Sequence, residues 1–242
     1  MENINQIRKT SIWIFLLPII AINSCLLIAV NSEFLDNTIF FVDPIGRSGF
    51  TIPYIDGGVS ISRSARTYPA YLIFKPSMII TAILLIKYWI YNNKFFKEIN
   101  KDQKNKFFLF FGIGSAIFLI LHSIFLGVVF ENDFYKLFRR IMLLGFIIFE
   151  IIAQTLLVIT IYKAKNKIID FINDKILFVK MILVSILIIT AILVSPILNS
   201  SEYTHFKHAL EWNYFLGVVS FYYLTFLLWK KRQLPVHTPE GV

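Results

Sequence analysis

The chain has 242 residues, of which 57% are apolar, 17% aromatic and only 16% charged, with a formal net charge of +9. Soluble domains carry about 25% charged residues, and a mean hydropathy of +0.67 excludes a water-soluble globule. The basic excess sits in short segments between apolar blocks, with no basic stripe interleaved with aromatics, which excludes nucleic acid as a partner.

About 20 apolar residues are needed to cross about 30 Å of hydrocarbon as a helix. Six such blocks lie at about 12–30, 70–91, 107–130, 141–162, 176–198 and 209–229. They are too long for barrel strands and lack two-residue alternation, so helix is the conformation that satisfies their backbone in lipid. The expected fold is all-α, a single integral membrane bundle of six transmembrane helices over residues 1–242 with a long first exterior loop at 31–69. The N-terminus, the second and fourth loops and the C-terminus (Arg8, Lys9, Lys94, Lys97, Lys101, Lys104, Lys106, Lys163, Lys165, Lys167, Lys175, Lys230, Lys231, Arg232) hold twice the Lys and Arg of the other three loops. Both termini are therefore expected in the cytoplasm. The membrane is expected to be a bacterial inner membrane or a eukaryotic plasma membrane or endomembrane.

Helix 1 follows Arg8 and Lys9 as a signal peptide would, but its apolar run exceeds an ordinary h-region and reads as a retained anchor. It carries a small and polar stripe (Pro18, Ala21, Ser24, Cys25, Ala29) suited to close helix packing. Cys25 is the only cysteine, which rules out an internal disulfide. The exterior loop has two apolar runs, 38–42 and 50–55, separated by Asp43, Pro44 and Gly46, and reads as strand, turn and strand. Residues 53–76 then form the longest polar interval, with Asp56, Ser60, Ser62, Arg63, Ser64, Arg66 and Lys75.

The second loop, 92–106, reads as a charged interfacial connector. Helix 3 carries Gly112, Ser115, Ala116, His122 and Ser123. Helix 4 places Glu150 near mid-membrane with Gln154 one turn on; an ionisable residue at that depth faces a partner or a cavity. Lys180 in helix 5 is expected to snorkel to the cytoplasmic end, and Asn199-Ser200-Ser201 fits a glycosylation sequon, meaningful only in a eukaryotic secretory membrane. Helix 6 opens with His205, His208 and Glu211, and the tail 233–242 reads as disordered.

In this topology Arg63, Arg66, Lys75, His122, His208 and Glu211 share the exterior rim and form the candidate ligand site. Arginine forks suit phosphate, so an anionic or glycolipid headgroup is the expected ligand and membrane lipids the expected partners. The bland reading pairs Arg63 and Arg66 with Asp56, Glu211 or bulk lipid phosphate. Glu202, His205, His208 and Glu211 recur every three residues, but steps of about 300° spread them over about half the helix circumference, so four cannot meet one ion. His208 and Glu211 with His122 is the metal reading left open; no metal or cofactor is expected. No hydrolase motif is present.

Ser60, Ile61, Ser62, Pro69 and Phe74, followed by Ala209, Leu210, Glu211 and Trp212 at the start of helix 6, resemble the FRAG/DRAM/Sfk family of six-helix membrane proteins. The resemblance covers the whole six-helix layout. It implies work on membrane lipids, since relatives take part in GPI-anchor lipid remodelling, lysosomal autophagy control and plasma-membrane lipid organisation. Ala70 stands where many relatives have Glu, and Arg63 with Arg66 replaces a more neutral segment. The expected function is recognition of a lipid headgroup in support of lipid remodelling or distribution. The alternatives are a membrane-embedded lipid-modifying enzyme, with Glu211 and a histidine as acid and base, and a proton-linked transporter using Glu150.

Overall fold

The computed structural model describes residues 2–41, 49–99, 106–128, 133–194 and 202–230. Over these the chain is helical throughout: α1 (Glu2–Val30), α2 (Ile61–Ala65), α3 (Ala70–Ile99), α4 (Phe107–Phe125), α5 (Asp133–Ile168), α6 (Asp174–Val194) and α7 (Thr204–Leu228), with a short 3-10 turn at Ser32–Leu35. Five helices, α1 and α3 to α6, are long and apolar enough to cross a membrane, which makes this an integral membrane protein. α7 is not among them, because its first turns carry His205, Lys207, His208, Glu211 and Asn213. Ile80, Ile117, Ile148, Ile186, Ile189 and Leu193 are exposed, as side chains that face lipid tails must be.

Successive long helices pack on one another, and α7 returns onto α1 to close the ring. Faces of α3 and α7 meet in an aromatic core in which Tyr88, Trp89, Phe221, Tyr222 and Trp229 are buried; Tyr88 sits edge-on to both Trp89 and Tyr222, ring centroids 5.0 Å apart in each case.

The helices outrun the apolar blocks where their flanks find partners. α1 starts at Glu2 because Ile4, Ile7, Thr10 and Ser11 are buried, and Asn3 Nδ2 donates to Glu98 Oε1 at 2.7 Å. α3 continues to Ile99, so the first half of the second loop is packed helix and not an interfacial connector. Asn92, Phe95 and Phe96 are buried there, with Phe95 against Trp229 and Phe96 against Phe108. α4 ends sooner than its apolar block, at Phe125. Gly127 then adopts a left-handed φ of +80°, and a Cβ on it would press on the Arg66 carbonyl oxygen.

At the rim where the chain begins, α7 is stitched to the α5–α6 turn. Asn173 N donates to Leu228 O and Lys230 N to Phe171 O, both at 2.9 Å, around an isolated antiparallel bridge between Ile172 and Trp229. Lys165 pairs with Asp174 at 2.9 Å on the same turn.

Two expectations are corrected. The described parts of the 31–69 loop form turns in place of two strands: Thr38–Phe41 is closed by hydrogen bonds to Thr38, and Asp56 closes Thr51–Gly58 on itself. Lys180 does not snorkel; it is fully buried, because Thr225 accepts from its ammonium at 2.6 Å and the Phe221 ring lies 3.7 Å from it. The expected turn at Asp43, Pro44 and Gly46, the lysines Lys101 and Lys104, Ser195 and Pro196, the Asn199 sequon, and Lys231, Arg232 and the tail lie outside the described residues.

Candidate functional site

The rim opposite the chain's start is built around α2, a five-residue helix whose amides are satisfied from two directions. Ser60 is its N-cap and accepts from Arg63 N at 3.2 Å. The Glu211 carboxylate on α7 faces the first two amides, of Ile61 and Ser62, as their nearest acceptor across the bundle. Within one sequence a capping box closes with a Glu three residues after the cap; here Glu211 closes it from across the bundle.

The same face of α7 reads the backbone leading into α2 almost residue by residue. Asn213 Nδ2 donates to Tyr54 O at 2.7 Å, His205 Nδ1 to Asp56 O at 3.2 Å, His208 Nδ1 to Gly57 O at 3.0 Å, and Trp212 Nε1 to Val59 O at 2.8 Å. Tyr54 lies edge-on to Trp212 at 4.9 Å and reaches Asn23 of α1 at 3.1 Å. Gly57 has a φ of +61°, and a Cβ there would fall on the His205 carbonyl oxygen, so the docking requires glycine at this position. The two stretches that carry the family resemblance are thus in contact.

Asp56 makes the docked loop rigid: it accepts from Thr51 Oγ1, from Ile52 N at 2.8 Å and from Gly58 N at 2.9 Å. The Thr51 hydroxyl first, then the Gly58 and Ile52 amides, hold its carboxyl below the usual carboxylate range. A carboxyl lowered in the folded state contributes stability that is complete above its unfolded value of about 3.9 and is lost as pH falls through the folded value. Amide-exchange protection of Ile52 and Gly58 is expected to stay level from neutral pH to about pH 5 and to collapse only in stronger acid. In Asp56→Asn it is expected to be lower at neutral pH and to lose this acid step.

The six candidate ligand residues divide between two tasks. His208 and Glu211 are engaged in docking the loop and α2, and no acid–histidine contact joins them. Lys75 Nζ caps the C-terminal end of α4 through Ile124 O at 3.3 Å, beside the Tyr71 ring. His122 is buried beside the Arg139 backbone, with Nδ1 left without a partner. Arg63 and Arg66 remain exposed on α2, and among the described residues neither pairs with Asp56 or Glu211. Arg139, at the start of α5, is the member that sequence spacing did not reveal. Partial burial first, and then the charges of Arg139 and Arg63, push the ionisation of Arg66 below the ordinary arginine value. The guanidinium groups of Arg63 and Arg139 therefore lie within electrostatic reach of Arg66, across α2 and the first turns of α5. Among the described residues, no group of three or more His, Cys, Asp or Glu side chains is arranged to hold a metal ion.

A second polar cluster lies inside the bundle. Glu150 on α5 is fully buried, and its Oε1 accepts from Tyr222 and, at 2.9 Å, from Gln154 Nε2. Its Oε2 lies 2.6 Å from Ser115 Oγ of α4. Tyr88 and Lys180 meet at Thr225, at 3.2 and 2.6 Å. Glu150 and Gln154 were legible as a pair; Ser115, Tyr222 and Lys180 as their surroundings were not, since they come from three other helices.

No protein-family model, curated protein or solved structure matches the chain.

Proposed function

We propose that this is a six-span membrane protein with both termini in the cytoplasm, α7 being the sixth span, and that its exterior rim holds an anionic lipid headgroup in support of lipid remodelling or distribution. The observation that carries the reading is that Arg63 and Arg139 lie within electrostatic reach of Arg66, with no carboxylate paired to the three among the described residues. Like charges gathered at a membrane surface repel, and an anion between them removes the repulsion. Guanidinium forks match phosphate oxygens two at a time. The contact between Glu211 and the Ile61–Ser62 amides supports the FRAG/DRAM/Sfk resemblance, because it gives both of its motifs one job, holding α2 at the rim. Glycolipid and phospholipid headgroups share the anionic chemistry proposed here.

The test is lipid retention. Full-length protein is purified from mixed phosphatidylcholine and phosphatidylglycerol vesicles, and the bound lipid is quantified. The chain is expected to enrich the anionic lipid, and Arg63→Gln/Arg66→Gln/Arg139→Gln to lose about ten-fold in affinity, equivalent to about 1.4 kcal/mol. Equal retention by a triple variant with unchanged melting would refute the reading.

A further inference from the structure

Glu150 carries a proton-accounting problem that points to a second site, independent of the rim. Ser115 Oγ lies 2.9 Å from Gly112 O and 2.6 Å from Glu150 Oε2. A hydroxyl has one hydrogen, and a carbonyl oxygen can only accept. If Ser115 donates to Gly112 O, as a serine bonded back along its own helix does, the contact with Glu150 needs a hydrogen supplied by the carboxyl. If Ser115 donates to Glu150 instead, the Gly112 carbonyl loses that bond.

The other oxygen is already committed. Oε1 accepts from the Tyr222 hydroxyl and the Gln154 amide, and that amide also donates to Val218 O at 3.2 Å. One oxygen is thus surrounded by donors, and the other faces an oxygen that can accept. We propose that Glu150 Oε2 is an exchangeable proton-binding site in the bundle interior, with the Ser115 hydroxyl as the rotor that reports its occupancy. When the site is filled, the carboxyl donates to Ser115 Oγ and Ser115 donates to Gly112 O. When the proton leaves for water, Ser115 turns its hydrogen onto the carboxylate. One O–H bond breaks on Glu150, one hydronium forms, and the array loses one positive charge.

The groups facing the site come from each element around it. α4 supplies Ser115, α3 Tyr88 and Asn92, α7 Tyr222 and Thr225, and α6 Lys180, which reaches the array through Thr225. Thr225 gives its own hydrogen to Phe221 O at 2.9 Å, so both Tyr88 and Lys180 donate to it. Asn92 Oδ1, Trp89 Nε1 and Gln154 Oε1 are buried without partners. They are unsatisfied polar positions on the side of Glu150 towards the rim where the chain begins, since Asn92 lies two turns from the end of α3.

Infrared difference spectroscopy on the full chain in phosphatidylcholine nanodiscs tests this. A carbonyl-stretch band of a protonated carboxyl is expected at neutral pH, shifted down in deuterated water and lost in Glu150→Gln. In Ser115→Ala the band should move to higher wavenumber, because the carboxyl loses the oxygen it donates to. This variant removes one hydroxyl and keeps the helix, so it serves if Glu150→Gln does not fold. A spectrum with no such band at neutral pH, a band that does not respond to deuterated water, or a band unmoved by Ser115→Ala each overturns the proposal.

Discussion

Glu150→Leu is expected to be the most destabilising single change inside the bundle. Leucine fills the space but accepts nothing, so the Tyr222 hydroxyl loses the oxygen it donates to and Gln154 keeps only Val218 O. A buried donor left unmade costs about 1–3 kcal/mol, and here two are affected in a core whose rings already touch. Thermal unfolding in detergent should show a loss of about 2–5 kcal/mol. Glu150→Gln, which keeps an acceptor oxygen, should recover most of it. Combining Glu150→Leu with Tyr222→Phe should cost less than the two separate losses added together, because the second change removes the donor that the first stranded. Strict additivity would mean that the pair does not act as a unit.

Trp212→Ala is expected to have the largest effect at the rim. Trp212 is fully buried, stacks edge-on with Tyr54 and donates to Val59 O. Truncating a buried tryptophan costs about 3–5 kcal/mol, and the loss should concentrate in the segment that α7 holds. Limited proteolysis should open residues 51–66 while the cores of α3, α4 and α5 remain protected. Trp212→Phe separates the two contributions: it keeps an aromatic partner for Tyr54 and strands only the Val59 carbonyl, so its loss should stay near about 1–3 kcal/mol. An alanine variant with wild-type protection of 51–66 would show that α7 does not hold the loop.

Much of this architecture is legible in residue order because lipid imposes a simple rule. A run of about 20 apolar residues has few options other than helix, and each of the six blocks holds a long helix over most of its described residues. Their ends were less legible. Hydropathy falls at Asn92, yet α3 continues because Phe95 and Phe96 find Trp229 and Phe108, and those partners belong to other helices. α2 could not be read from its own five residues, since Glu211 supplies the acceptor for its first amides from about 150 positions away. The strand reading of 50–55 failed for a related reason: an apolar run beside turn residues suggested extended chain, but Asp56 folds back on Thr51, Ile52 and Gly58 and closes the segment as a turn. Lys180 was misplaced because snorkelling treats a lysine as alone with the lipid, whereas Thr225 and the Phe221 ring give its ammonium an interior partner.

The two backbone hydrogen bonds from Asn173 N to Leu228 O and from Lys230 N to Phe171 O limit how this molecule can rearrange. A piston-like slide of α7 along its axis would shear both bonds at once, whereas a rocking motion that carries the α5–α6 corner along keeps them intact. A tilt of α7 together with that corner, in place of a slide, is therefore the motion that can link the rim where α7 grips α2 to the opposite side.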